Sequence, residues 1–396
     1  MRITIFEKEP SSQRGGQERS LLDVARQLQQ KGHQITLIYT NSGDFLAEYE
    51  QFCDRLLPLH SFSLSPQRGI SQFVTIPQDI QRSLRCLREQ STQVLYINQI
   101  YDAPLAGLLA KLTGLPLVCH LRLPAPETLD IQRHWGMRSI THYIAVSQHV
   151  QQQWQARNWV AENIDVVYNG LDLTRFVLGD WQALRQKWGL PLDQPVLAYV
   201  GRLDRRKGID VLLKSFAQVR SQYPMAQLLI AGKPLLDGDQ SLQELETLVQ
   251  QLDLHASIRF LGHIHDPRPL YQLSDLTIVP SVWAEPCGRV VLESMACGTP
   301  VVATQVGGNP ELLRGEFAAG LVPARDVDQL AQKIGTFLNW RDRDPSLGNR
   351  ARQHVQQSFR LDQKANKVEA ILQQICQPHS VQIQSPESPA GDRMMT

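Results

Sequence analysis

The chain has 396 residues, more than one ordinary hydrophobic core supports, so two domains are expected. Lys+Arg 40 against Asp+Glu 39 leaves a net charge of +1, which argues against nucleic acid or another polyanion as partner. Six scattered cysteines form no CxxC pair, which disfavours a disulfide framework or zinc site and points to reduced thiols in a cytoplasmic protein.

The chain enters a strand-like run at MRITIF without a charged segment and apolar core before it, so no secretory leader is expected. Short apolar runs then alternate with amphipathic stretches, the pattern of parallel-sheet α/β domains. ITIF, QITLIY, VLYIN, PLVCH, YIAV and IDVVY read as strands of a first domain. Helices fit at Gln17 to Lys31 and Ala103 to Thr113. The segment Asp44 to Ile76 carries Phe62, Leu64, Arg68, Ile70 and Phe73. It reads as a covering loop or helix, with peripheral contact to a membrane surface as the second reading. No apolar run reaches the ~18 residues of a membrane span. NGLDLTRFVLGD reads as a linker, and a short helix from Trp181 to Trp188 leads into the second domain. There VLAYV, QLLIA, SIRF, LTIVP, PVVAT and GLV read as strands, with helices at Val211 to Ser221, Leu242 to Leu252 and Val290 to Ala296. A last helix is expected at Leu361 to Gln373, and the proline-containing tail 377–396 is expected to be disordered.

In open parallel sheets, ligands bind beyond the carboxyl ends of the strands. Four stretches with suitable chemistry follow strands. SSQRGGQERS places Gly15 and Gly16 before a helix, a glycine turn open to close approach by a ligand. VGRLDRRKGID brings Arg202 and Lys207 near one turn, where both suit a diphosphate, while Arg205 and Arg206 face water. EPCGRVVLE sets Glu285 in a loop, because Pro286 disfavours helix at the preceding residue, and starts a helix near Gly288. Glu293 then lies about 7.5 Å along the axis, at ~1.5 Å per residue. The helix mouth attracts phosphate and the two carboxylates accept hydroxyl hydrogen bonds. Gly307, Gly308 and Glu311 repeat the strand–glycine–helix arrangement one strand later, with Glu311 as a third acid for the same ligand. His120 ends the PLVCH strand and faces the cleft in one reading, or is a hydrogen-bonded structural histidine in the other. GxGxxG and GxxxxGK[ST] are absent, which disfavours dinucleotide and P-loop chemistry. The DxD strings at Asp237–Asp239 and Asp342–Asp344 are read as chance, and no metal is expected.

Taken together these residues resemble the retaining glycosyltransferases of family four, from the loop at Gly15 to the helix ending near Gln373. The resemblance implies a GT-B fold: two Rossmann-like domains facing a cleft. Residues 1–180 would bind the acceptor and 181–357 the nucleotide-sugar, with the helix in 358–376 returning to the first domain. It implies that Glu285 meets donor-sugar hydroxyls and Glu293 the ribose. Arg202 and Lys207 would hold the diphosphate, and His120 would line the reacting centre. Gly15, Gly16, Gly262, His263, Ile264, Cys287, Gly288, Arg289 and Val290 would complete the donor site. Two departures stand out. Cys287 occupies a place often aromatic or glycine, and His120 is followed by Leu121 and Arg122 without the usual acidic neighbour. The implied function is retaining transfer from a nucleotide-diphospho-sugar to a hydroxyl acceptor, with no metal or other cofactor. A sugar-nucleotide epimerase, a glycosyl phosphorylase and an inactive nucleotide-sugar-binding module are the alternatives.

Overall fold

A computed structural model describes residues 1–64, 72–160, 164–234 and 241–377. The first domain is built on strands β1 (Arg2–Glu7), β2 (Gln34–Tyr39), β3 (Arg55–Pro58), β4 (Val94–Ile97), β5 (Leu117–Leu121), β6 (His142–Ala145) and β7 (Ile164–Val166). The second uses β8 (Val196–Val200), β9 (Gln227–Ala231), β10 (Ile258–Gly262), β11 (Leu276–Val279), β12 (Val301–Thr304) and β13 (Leu321–Val322). The sheet orders are β3-β2-β1-β4-β5-β6-β7 and β10-β9-β8-β11-β12-β13, and every pairing is parallel. Both sheets wind outward from an inner strand, so each has a switch point, between β1 and β4 and between β8 and β11, where the loops diverge and leave a crevice.

The apolar runs became strands because central parallel strands are covered on both faces. All four residues of β4 and all five of β5 are buried. One face of the first sheet packs against the helices Gly16–Gln30 and Leu361–Cys376, with Ile3, Ile5, Leu21, Leu28, Val368 and Leu372 in a shared core. Val368 and Leu372 are fully buried, each worth about 1.5–3 kcal/mol of transfer free energy. The chain's last described helix thus docks on the first domain. Glu369 ties it down, pairing with Lys31 and with His33 Nε2 at 2.8 Å. Near the crossing, Leu171 N–H donates to the Phe359 carbonyl at 2.8 Å, and Leu361 N–H to the Leu171 carbonyl at 3.0 Å.

One element departs from expectation. β3 lies inside the segment read as covering loop and pairs with β2 at the sheet edge. Its four residues, RLLP, are too few for a periodic signal, and the terminal Pro58 is tolerated because an edge strand needs no donor on its outer side. In the described remainder of this segment, Phe62 is buried, whereas Leu64, Phe73 and Val74 are exposed. Arg68 and Ile70 lie outside the described residues. A cavity of about 350 Å³ opens here, lined by Phe62, Leu64, Ile80, Leu105 and Trp135 and by none of the predicted site residues. No helix among the described residues is long and apolar enough to cross a membrane. The tail from 378 onward also lies outside the described residues.

Candidate functional site between the two sheets

On the second domain, the loops after β8 and β11 lie side by side at the switch point. Gly208, at φ +67°, passes so close to Pro280 that a Cβ would come 2.1 Å from its carbonyl oxygen. This contact brings the Arg202–Lys207 turn against the Ser281–Gly288 loop. Lys207 Nζ donates to Glu285 Oε2 at 2.6 Å, and Ser281 Oγ donates to the same oxygen at 3.2 Å. Burial pushes the Glu285 carboxyl up, but the charge and hydrogen bond of Lys207, with help from Ser281 and Arg202, hold it below its ordinary value. Glu285 is therefore ionised at neutral pH.

The Arg202 charge acts on Glu285 and also on Glu18, which belongs to the first domain. Arg202 thus stands between the two walls of the cleft. Arg205 pairs with Glu244 at 2.7 Å and is 81% exposed, as expected of a solvent-facing residue. Trp283 was not anticipated: its ring lies 5.2 Å from the Arg206 guanidinium and 6.0 Å from Lys207 Nζ, and its indole N–H is buried without a partner among the described residues.

The helix Arg289–Ala296 starts at Gly288, as predicted. Glu293 accepts from Tyr271 Oη at 3.0 Å and from Arg289 Nε at 3.1 Å. Arg289 itself crosses the cleft, with Nη1 3.3 Å from Asp23 and 3.1 Å from Ser20 Oγ. Burial opposes its charge, yet Asp23 and Glu293 more than offset that and raise its pKa. Gly16 faces this side chain, since a Cβ there would come 2.9 Å from Arg289 Cδ. Arg289, expected among the donor-binding residues, is engaged in an interdomain clamp. Cys287 is buried, and burial pushes its thiol up to about 12, so it stays protonated.

Gly262 ends β10 and His263 and Ile264 follow it at the rim, where burial, His265 and Lys233 lower the His263 pKa and the first domain's Asp44 opposes them. Lys233 Nζ reaches Gln13 Oε1 at 3.3 Å across the cleft. Gly15 sits opposite with φ +142° and nothing within 4 Å of a Cβ position.

Two acids or bases went elsewhere. Glu311 is not free to meet a ligand. Its carboxylate accepts from the backbone N–H groups of Gln148 and His149, both at 2.8 Å, and from Tyr168 Oη at 2.8 Å. It caps the first-domain helix Gln148–Gln155 from the other domain, where the helix dipole favours a negative charge. His120 is 1% exposed, and its Nδ1 lies 2.6 Å from Tyr96 Oη. Burial, with the nearby Arg122 charge, pushes its pKa well down and keeps the ring neutral. The ring is buried, and its Nε2 has no hydrogen-bond partner among the described residues.

The first-domain wall holds a buried carboxyl cluster that the sequence did not announce. Glu7, Glu18 and Asp102 are 6%, 1% and 4% exposed. Asn98 Nδ2 donates to Glu7 Oε2 at 3.1 Å, and Gln17 Nε2 to Glu18 Oε1 at 2.7 Å. Burial, reinforced by Glu18 and opposed by Lys8 and Arg14, pushes Asp102 from 3.8 to about 8. A carboxyl with a raised folded pKa costs no stability at low pH, where it is protonated folded and unfolded alike. The cost grows as pH rises from the unfolded value toward the folded one. The Asp102→Asn variant should therefore lose less stability than wild type between about pH 5 and 8 in a Tm-against-pH series. Parallel curves would contradict the assignment.

With this geometry in hand, two family models match the chain. The one described as Glycosyltransferase Family 4 matches residues 14–175, and the one described as Glycosyl transferases group 1 matches residues 180–354. The chain belongs to the group 1, family 4 glycosyltransferases. Among this glycosyltransferase's relatives, the D-inositol 3-phosphate glycosyltransferase of Mycobacterium avium is 38% identical over 177 residues, 44% of this chain and 41% of that protein. That of Mycobacterium tuberculosis is 39% identical over 178 residues, 44% of this chain and 36% of the relative. The aligned part thus spans less than half of these relatives. Anabaena HepE, solved with UDP-glucose, superposes with a TM-score of 0.80 at 23% identity, covering 94% of this chain and 100% of that one. Sucrose-phosphate synthase of Thermosynechococcus elongatus gives 0.77 at 24% identity, covering 95% and 99%. The chain accordingly has the GT-B fold. Asp237 and Asp239 lie outside its described residues, and Asp344 is paired with Arg350 at 2.7 Å.

Proposed function

We propose that the chain transfers a sugar from a nucleoside-diphospho-sugar to a hydroxyl of an acceptor, with retention at the anomeric carbon and without a metal. The observation that carries this reading is the convergence of Lys207, Glu285 and Arg202 beside the helix mouth at Gly288. One cation and one carboxylate at 2.6 Å can separate onto a diphosphate oxygen and a sugar hydroxyl of the same donor. As the bond between the anomeric carbon and the phosphate oxygen breaks, its electron pair goes to the diphosphate. Arg202, Lys207 and the helix N–H groups stabilise that growing charge, commonly the largest catalytic contribution. The acceptor oxygen bonds to the anomeric carbon on the face that the diphosphate leaves, and its proton passes to the departing phosphate oxygen. No side-chain nucleophile enters this scheme, and neutral, buried His120 is not needed as a base. The clamps from Arg289 to Asp23 and from Glu311 to the Gln148 helix suit a closed state that limits hydrolysis.

The test is incubation with UDP-glucose and other sugar nucleotides in the presence of EDTA. Nucleoside diphosphate release that depends on an added acceptor, with an axial anomeric product by NMR from an axial donor, is the expected result. A free isomerised sugar without acceptor would mark an epimerase. Sugar phosphate formed with inorganic phosphate would mark a phosphorylase. Nucleotide-sugar binding with no turnover across the acceptor panel would mark a binding module.

A further inference from the structure

Arg122 follows β5 at the top of the first sheet, two residues past His120, and is 4% exposed. Its Nε donates to Asn98 Oδ1 at 2.7 Å and its Nη1 to Asn169 Oδ1 at 2.8 Å. Its Nη2 is buried and has no hydrogen-bond partner among the described residues. The Tyr96 hydroxyl, a neutral group, hydrogen-bonds the Arg122 side chain and also pairs with His120 Nδ1 at 2.6 Å.

The charge balance around this side chain is unusual. Among the described residues no carboxylate lies within ion-pair distance of Arg122, whereas the neighbouring buried Arg289 has both Asp23 and Glu293. The carboxyl that acts on Arg122 is Glu7, whose pKa is raised well above its ordinary value, by burial first and then by its neighbours Glu18 and Asp102. The Cys287 thiol and Tyr96 phenol are also neutral, each pushed up to about 12. A buried charge is normally paired, because desolvation otherwise disfavours it strongly. Arginine keeps its proton under these conditions, so the missing partner is a missing anion rather than a lost proton. The two asparagine contacts hold the fork in place while leaving one N–H₂ edge unused.

We propose that Nη2 of Arg122 takes an oxygen of an anionic group, a phosphate or carboxylate, carried by the acceptor. This rests on the reading that the cleft holds a nucleoside-diphospho-sugar on its other wall. The position favours the acceptor over the donor. Arg122 stands on the first domain, while Arg202 and Lys207 serve the diphosphate from the second. Asn169, which holds Arg122, also donates to the Cys287 carbonyl at 3.0 Å, so the anion site and the donor loop are one bond apart. Opening of the domains lifts the Cys287–Arg289 segment from above Arg122 and gives the anion its way in. An acceptor seated here would hold its anionic group close to the reacting centre while its hydroxyl faces the donor sugar.

The experiment measures inorganic phosphate binding by calorimetry, to the full chain saturated with UDP so that the donor's own phosphate site is filled. Wild type should bind phosphate, Arg122→Gln should bind it at least tenfold more weakly, and Arg122→Lys should recover part of the loss. UDP affinity should be the same in all three, which also shows that the variants are folded. In the matching assay, hexose phosphates should be better acceptors than their parent hexoses for wild type, and the advantage should vanish in Arg122→Gln. Equal phosphate binding in wild type and Arg122→Gln would overturn the proposal. So would loss of UDP affinity in Arg122→Gln with acceptor KM unchanged, since Arg122 would then serve the donor. If neither UDP nor any other nucleoside diphosphate binds wild type, the donor reading falls by itself. The phosphate comparison run without nucleotide still decides on Arg122, by loss in Arg122→Gln or by its absence.

Discussion

Replacing Lys207 with alanine is expected to lower kcat/KM by about 10²–10³-fold, the usual loss when one aligned charge-stabilising donor is removed. The same change strands Glu285. The two side chains are only 17% and 15% exposed and meet at 2.6 Å. Breaking a fully buried pair costs about 3–5 kcal/mol, and the residual exposure here places the expected loss nearer 2–3 kcal/mol. Without Lys207, burial of Glu285 is no longer opposed by its main counter-charge, so its pKa should rise. The acid limb of the pH–rate profile should then move to higher pH. Adding Glu285→Gln to Lys207→Ala should restore part of the stability, because no unpaired charge remains, while activity stays low. Denaturant titration and steady-state kinetics on the single and double variants read both effects. Turnover of Lys207→Ala close to wild type would sink the assignment of the cationic turn.

Gly307→Ala should be nearly as damaging, although Gly307 has no side chain to lose. Its φ is +59°, and a Cβ there would lie 2.0 Å from the Glu285 carbonyl oxygen and 2.5 Å from the Glu285 nitrogen. The left-handed conformation alone costs about 1–2 kcal/mol for alanine. The clash must in addition push the Glu285 backbone away, which also breaks the Gly308 N–H bond to the Glu285 carbonyl at 2.7 Å. A total of about 2–4 kcal/mol of stability is expected, with a kcat/KM loss of ~10²-fold from displacement of the carboxylate. Gly315→Ala supplies the control. Its φ is +60°, but nothing lies within 4 Å of the added methyl. It should show the conformational cost with full activity. Equal activity in the two variants would mean that the Gly307 contact does not position Glu285.

The purpose of the glycine pair is one place where sequence and structure part company. Gly307 and Gly308 read as a second strand–glycine–helix arrangement, with Glu311 as a third acid for the same ligand. In the fold the glycines exist so that one backbone can lie on another: a Cβ at Gly308 would come 2.3 Å from the Pro286 carbonyl oxygen. They shape the Glu285 loop from behind. Glu311, four residues past Gly307, points to the other domain's helix. A local motif announces a tight turn and an acid, but not which neighbour makes the turn necessary. His120 shows the same limit. The end of a strand is readable, yet the side chain's depth depends on Tyr96, 24 residues earlier, and on the layer above it.

What the chain's order of residues decided is local: apolar runs long enough for buried parallel strands, glycine and proline where loops turn, and the spacing from Glu285 to Glu293 around a helix start. Those features act within a few residues, through backbone sterics and periodic burial, so they survive without knowledge of the partner. The assembled volume decided the rest. Arg289 meets Ser20 across 269 positions, Asn169 meets Cys287 across 118, and Arg122 ends with no carboxylate in reach among the described residues. Pairing and desolvation depend on distances through space, and those are set only when two sheets close over a common cleft.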